Sequence, residues 1–214
     1  MTMMRGTGYQ ASSTSCSMEP SRLASRQPSL LRSSSSRRSA SVTSRCFYDD
    51  VSSQVYSLAT TPSSSSSSPS SSSTMNIVTY CSAVAIGPPR VYCVSLYVGT
   101  LSWENFRSNG GRGVLQVLNR NQAGLVDLLG RTSGRGVDKI RELREEHGLE
   151  VEEWHGIPTL RDCAGGLLLR ATSPDLVNCG DHEVALCEVV DERRGGGATS
   201  PLLTTGYLRE HGLL

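Results

Sequence analysis

Polar and apolar positions alternate from Ser53 to Thr60 with the period of a β-strand. The alternation stops at Pro62, and from there to Thr74 the chain is almost wholly Ser and Pro. A second strand is predicted from Asn76 to Ile86, rich in Ile, Val, Thr and Tyr. The two strands then read as a pair with an enlarged connection; growing a short turn to about a dozen residues costs only about 1 kcal/mol of closure entropy. Arg90 to Val98 and Gly113 to Leu118 predict further strands, with a short helix between them over Ser102 to Ser108 that stops at Asn109-Gly110-Gly111. Asn121 offers an N-cap to a helix burying Leu125, Val126, Leu128 and Leu129 and ending at Gly130. Val137 to His147 repeats the helical spacing through Val137, Ile140 and Leu143, up to Gly148. Beyond Pro158 the pattern returns to strands, clearest at Cys163 to Thr172 and Glu183 to Asp191, joined through a turn at Cys179-Gly180-Asp181. Strands before and after a helical insertion, without βαβ alternation, predict a mainly β fold with short helices, a small decorated barrel.

Composition changes the picture at the N-terminal side. Of the 34 serines, 27 lie in residues 1–74, and residues 1–46 carry seven Arg with Glu19 as their sole acid. Such a segment cannot bury enough apolar area to offset its ordering entropy. It reads as an organelle transit peptide, with chloroplast favoured by the dominance of serine and mitochondrion as the alternative, or as a permanent disordered tail of a cytoplasmic protein. The domain is then 47–214, interrupted by the low-complexity loop 62–74.

Removing the tail leaves 14 basic against 19 acidic residues, which argues against a general nucleic-acid binder. No apolar run approaches the ~18 residues of a membrane span, so no membrane partner is expected. Seven Cys without a CxxC pair predict reduced thiols rather than a disulfide framework or a four-Cys zinc site. Cys163, Cys179, His182 and Cys187 fit no common metal spacing, so no metal is expected. His147, His155 and His211 read as surface histidines, and Trp103 and Trp154 as packing residues able in principle to stack on a planar ligand. Gly110 to Gly113 precedes a strand, the wrong order for a dinucleotide cradle.

An ordered set of short stretches runs through the domain: Thr74-Met75-Asn76-Ile77-Val78-Thr79-Tyr80, then Val94 to Phe106 with Tyr97-Val98-Gly99-Thr100-Leu101-Ser102-Trp103-Glu104-Asn105 at its centre, Gly113 to Leu118, Leu128-Leu129-Gly130, Ser133 to Lys139, Gly180 to Val184 and Leu208 to Gly212. Taken in that order, they resemble the flavin reductase-like family. The Ser/Pro tract departs from the family, which has a short turn there. The resemblance implies an FMN-binding split β-barrel, a hydride passed from NAD(P)H to flavin, and a homodimer; an acceptor oxygenase, if there is one, stays unidentified. A flavin-storing or flavin-sensing protein without significant turnover would share every such feature, and a barrel acting as a ligand-free scaffold is a third possibility.

The residues can be weighed singly. A flavin phosphate needs hydroxyls, cations or free helix N–H groups, and Thr100 and Ser102 stand where a strand gives way to a helix, with Asn105 one turn in; Ser102 could equally be a plain cap. Asn76, Thr79 and Ser82, with Ser95 on the neighbouring strand, could address the ribityl chain or the pyrimidine edge. Ser133, Arg135 and Lys139, the only lysine, would supply a hydroxyl and cations, or merely solvate a helix start. The family motif places His182 beside the flavin, on the nicotinamide side, whereas its position after Gly180-Asp181 also suits a turn histidine bonded to Asp181.

Overall fold

The structure, a computed structural model, describes residues 51–64 and 72–214. The predicted tail at 1–46 and the middle of the Ser/Pro tract lie outside the described residues. Strands β1 (Tyr56–Thr60), β2 (Thr74–Val78), β3 (Cys81–Ala85) and β4 (Val91–Tyr97) precede helix α1 (Leu101–Ser108) and strand β5 (Arg112–Val117). A 3₁₀ turn (Arg120–Leu125), a π turn (Asp127–Arg131) and helix α2 (Lys139–Glu145) follow. The hairpin β6 (Val151–Trp154) and β7 (Ile157–Leu160) leads to β8 (Gly165–Ala171), β9 (Val177–Asn178), β10 (His182–Arg194) and helix α3 (Thr205–Glu210).

The main sheet is antiparallel, in the order β2-β1-β5-β8-β10-β4-β3, with β9 also on β10. Its two outer strands, β2 and β3, are separated in sequence only by Thr79 and Tyr80, so the sheet has to curl until its edges approach. Ser95 N–H donates to Tyr80 O at 3.0 Å at that corner. This is the expected split barrel, with one correction: the single strand predicted over 76–86 is two strands pairing with different neighbours, β1 and β4.

Successive residues of the curled sheet serve two cores. Leu58, Leu115 and Leu169 face the inner one with Val94, Leu96, Ala185 and Phe106 of α1. Ala59, Val114 and Leu168 face an outer core formed with Met75, the 3₁₀ and π turns, α2 and the hairpin. The register Leu58↔Leu115 and Ala59↔Val114 keeps each set on its own side. Here the alternation expected for 53–60 gives no solvent face: Ser57 and Thr60 are also fully buried.

Two local expectations are corrected. Asn119, not Asn121, caps the first insertion turn, in a reciprocal capping box with Gln122. The turns that follow are 3₁₀ and π rather than one α-helix. Two elements were not foreseen. The β6–β7 hairpin closes on His155 (φ 54°) and Gly156 (φ 77°), both left-handed as a two-residue hairpin turn requires. Helix α3 begins on the Thr204 cap, where the chain also pairs back to Gln54. No helix among the described residues is long and apolar enough to cross a membrane.

Candidate functional site

A cavity of about 510 Å³ opens where β2, the β4–α1 turn, the segment after the π turn and the start of β10 converge. That volume suits a cofactor-sized ligand. Asn76, Thr100, Ser102, Ser133, Arg135, Lys139 and His182 all line it. Thr79, Ser82, Ser95 and Asn105 lie outside it. Thr79 sits at the barrel corner, Ser82 is exposed on β3 with its hydroxyl on Ala83 O, and Ser95 pairs in register with Val184. Asn105 is buried, and its amide donates to Ser72 O at 2.9 Å, fastening the end of the Ser/Pro tract.

At the β4–α1 turn, Gly99 (φ 80°) lets the chain leave the sheet. Thr100 caps the helix: its hydroxyl accepts from Trp103 N–H at 3.3 Å and donates to Tyr97 O at 2.8 Å. Its hydrogen is therefore spent within the turn. Ser102, the cap that the sequence offered, does not serve as one; it is 2% exposed with no side-chain hydrogen bond among the described residues. The N–H groups of Leu101 and Ser102 belong to the first helical turn and have no helical partner.

The opposite wall carries the cations. Lys139 is the first residue of α2, next to the Asp138 cap, and is only 4% exposed. Its Nζ donates to Leu129 O in the π turn at 2.8 Å, which uses one of three donor hydrogens. No carboxylate pairs with it among the described residues, and burial lowers its pKa to about 8. Arg131 is engaged by Asp127 and Leu213 O. Arg135 reaches across to Gly99 O at 3.1 Å and to the Glu104 carboxylate. Gly134, between Ser133 and Arg135, packs closely on β2: a Cβ there would lie 2.7 Å from Thr74 Oγ1, so one of the two would have to shift. Ser133 Oγ accepts from Arg135 N–H, leaving its own hydrogen to donate.

Asn76 supplies the complementary signal. Its Oδ1 is an unmet acceptor, buried without a partner behind the wall that Asn76 lends to the cavity. At the far end His182 opens β10 opposite Tyr97. Its Nδ1 lies 2.8 Å from Asp181 Oδ1, so the turn contact foreseen from sequence coexists with exposure to the cavity. That hydrogen bond holds Asp181 below its usual range. The rings of Tyr97 and Tyr80 stand edge-on to the imidazole at 5.0 and 5.8 Å. With Nδ1–H donated to Asp181, the neutral ring presents Nε2 as an acceptor.

Thr74, Ile77, Tyr97, Arg131 and Thr132 also line the cavity without having been singled out. The polar run Arg131-Thr132-Ser133 was the available signal, hidden because helical periodicity ends at Gly130. Neither tryptophan lines it. Trp103 donates Nε1–H to Glu183 at 2.8 Å, and Trp154 packs under Arg193. No group of three potential metal ligands occurs among the described residues.

The family model for the flavin reductase like domain matches residues 49–209, and the chain belongs to that family. Among solved structures, it is similar to a flavoredoxin from Methanosarcina acetivorans (16% identity, 71% of this chain and 72% of that one, TM-score 0.55). It also resembles an FMN-binding protein from Thermus thermophilus with bound 1-cyclohex-2-enone (18%, 77% and 80%, TM-score 0.56). A third is the styrene monooxygenase flavin reductase from Pseudomonas putida S12 (15%, 69% and 83%, TM-score 0.52). These likenesses establish the fold, and the chain spans from 48% to 88% of the similar solved chains. No curated protein matches the sequence significantly.

Proposed function

We propose that this cavity binds FMN and that the chain passes a hydride to it from NAD(P)H. The observation that carries the reading is Lys139, a buried ammonium with two unused donor hydrogens and no carboxylate, facing the first-turn amides of α1 across one cavity. A buried charge without a counter-ion calls for an anionic ligand. Lys139, Ser102 and the amides of Leu101 and Ser102 would hold the phosphate, with Ser133 and Arg135 beside it. Asn76, once its amide turns to bring the buried Oδ1 into the cavity, would accept from an N–H on the flavin edge. His182 Nε2, fixed by Asp181 and the two tyrosines, would accept from the nicotinamide carboxamide. When bound, the flavin supplies the hydride-accepting chemistry, and the protein's part is to orient it and limit water.

Membership of the flavin reductase like family, together with the likeness to a styrene monooxygenase flavin reductase, supports delivery of reduced flavin to an acceptor oxygenase. A homodimer is supported by the exposed strand β3, where Val84 and neighbouring Ile86 are 56% and 87% exposed. Sedimentation of the purified domain tests that. Chloroplast targeting by residues 1–46 is proposed on their Arg and Ser content alone; sequencing of the native N-terminus decides it, and recovery of Met1 would remove it.

The principal test is titration of purified protein with FMN and riboflavin, followed by NADH and NADPH oxidation with free flavin. Binding with turnover supports the reductase, binding without turnover supports flavin storage or sensing, and absence of binding defeats both. In the same assay His182→Ala should lower kcat/KM for NAD(P)H at least tenfold, about 1.4 kcal/mol, while FMN affinity changes little. Full activity in that variant would return His182 to a turn role.

A further inference from the structure

Of the three cations that line the cavity, two already have carboxylate partners. The pair that matters is Arg135 with Glu104, because Glu104 sits in the first turn of α1, on the helix whose free amides face the anion position. Both side chains of the pair are partly exposed, 42% and 43%. Arg135 also keeps a second anchor on Gly99 O.

We propose that Glu104 is a built-in competitor for the ligand's phosphate. In the ligand-free chain it holds the Arg135 guanidinium. When a phosphorylated flavin enters, the anion and the carboxylate share that guanidinium, and their mutual repulsion lowers the affinity. Glu104 thus sets how strongly the site rewards negative charge on the ligand: it penalises FMN, with its phosphate dianion, and is indifferent to riboflavin, which has none. A loosened hold would suit a flavin that must leave again, as delivery of reduced flavin requires. This inference rests on the FMN reading of the cavity.

The physical case turns on comparing two effects. An exposed ion pair contributes little to holding Arg135 in place, and Gly99 O anchors the guanidinium without it. Repulsion between a carboxylate and a dianion that share one guanidinium is screened by the same solvent, but it acts on two charges of the ligand and no hydrogen bond offsets it. Removing the charge should therefore tighten binding more than the lost pairing loosens it.

The substitution Glu104→Gln separates these effects, because the amide keeps an acceptor for Arg135 and discards only the charge. Its FMN affinity should rise about three- to tenfold at low salt, the range set by interactions of up to about 1.4 kcal/mol. Riboflavin affinity should stay as in the wild type, and the FMN gain should shrink as salt screens the pair. Measured against Arg135→Gln alone, adding Glu104→Gln should give a smaller gain, since the guanidinium that draws the two anions together is gone. An E104Q variant that binds FMN no tighter than wild type, or shifts FMN and riboflavin equally, overturns the competition. Failure of the wild-type chain to bind FMN at all would instead overturn the functional reading beneath it, so the two failures are distinguishable.

Discussion

Lys139 illustrates how one residue couples stability to binding. Its amine, moved by burial from an ordinary 10.5 to about 8, costs the fold about 3 kcal/mol while charged. The sign follows from proton counts. Between pH 8 and 10.5 the unfolded chain holds the proton more tightly, so this cost is full below about pH 8 and is relieved as pH rises toward 10.5. Lys139→Met should therefore be more stable than wild type near neutrality by up to that amount, less its bond to Leu129 O, with the difference shrinking in alkali. Urea melts at pH 7 and 10 check it. The same variant should lose at least tenfold in FMN affinity and little for riboflavin. In the wild type, an anion beside the amine would restore its proton, so FMN affinity should fall as pH rises through about 8. Calorimetry in buffers of different ionisation heat would show the proton uptake. The sequence showed two hydroxyls at a helix start and offered Ser102 as the cap, a place that Thr100 takes in the structure. Thr100→Ala should cost about 1 kcal/mol of stability, whereas Ser102→Ala should weaken FMN and spare riboflavin.

At the scale of elements, the strands were readable wherever alternation continued up to a Gly or a polar break. The corner between β2 and β3 was not. Thr79 and Tyr80 are ordinary strand residues, and the pattern is equally apolar on both sides of them; only the change of partner from β1 to β4 marks the bend. The π turn escaped for a similar reason, since its widened spacing mimics the end of a helix at Gly130. The cavity was legible as residue types in family order, but its lining depends on segments about 20 to 110 residues apart, which no local period reports. Glycines test the joints directly. Gly111 has φ 71°, and a Cβ there would stand 2.2 Å from that of Ala171, so Gly111→Ala should destabilise the domain by more than about 2 kcal/mol. Gly134→Ala should push the Ser133–Arg135 segment off Thr74, lowering FMN affinity more than it lowers the melting temperature. For the Ser/Pro tract, a short turn replacing residues 64–71 but keeping Ser72 and Ser73 should leave FMN affinity within about threefold, since Asn105 still finds Ser72 O. A larger loss would make the tract part of the site.

Across the whole molecule, the strands pair over long stretches of sequence: β1 with β5, β10 with β4, and the residues just before β1 with those just before α3. Val55 N–H donates to Leu203 O at 2.9 Å, Thr205 N–H to Ser53 O at 2.9 Å, and Arg209 to Val51 O at 2.8 Å. A protein is made from one end, so on the ribosome the strand at 56–60 emerges long before the segment that covers it. Until Leu203 and Leu208 leave the exit tunnel, the Val55 N–H has no partner, although Val55 O can already accept from Leu118 N–H, and the outer core stays open on that side. Synthesis then leaves a waiting interval of some 150 residues, on the order of 10 s at ordinary translation rates. During it, edge strands and apolar faces depend on other factors to stay apart.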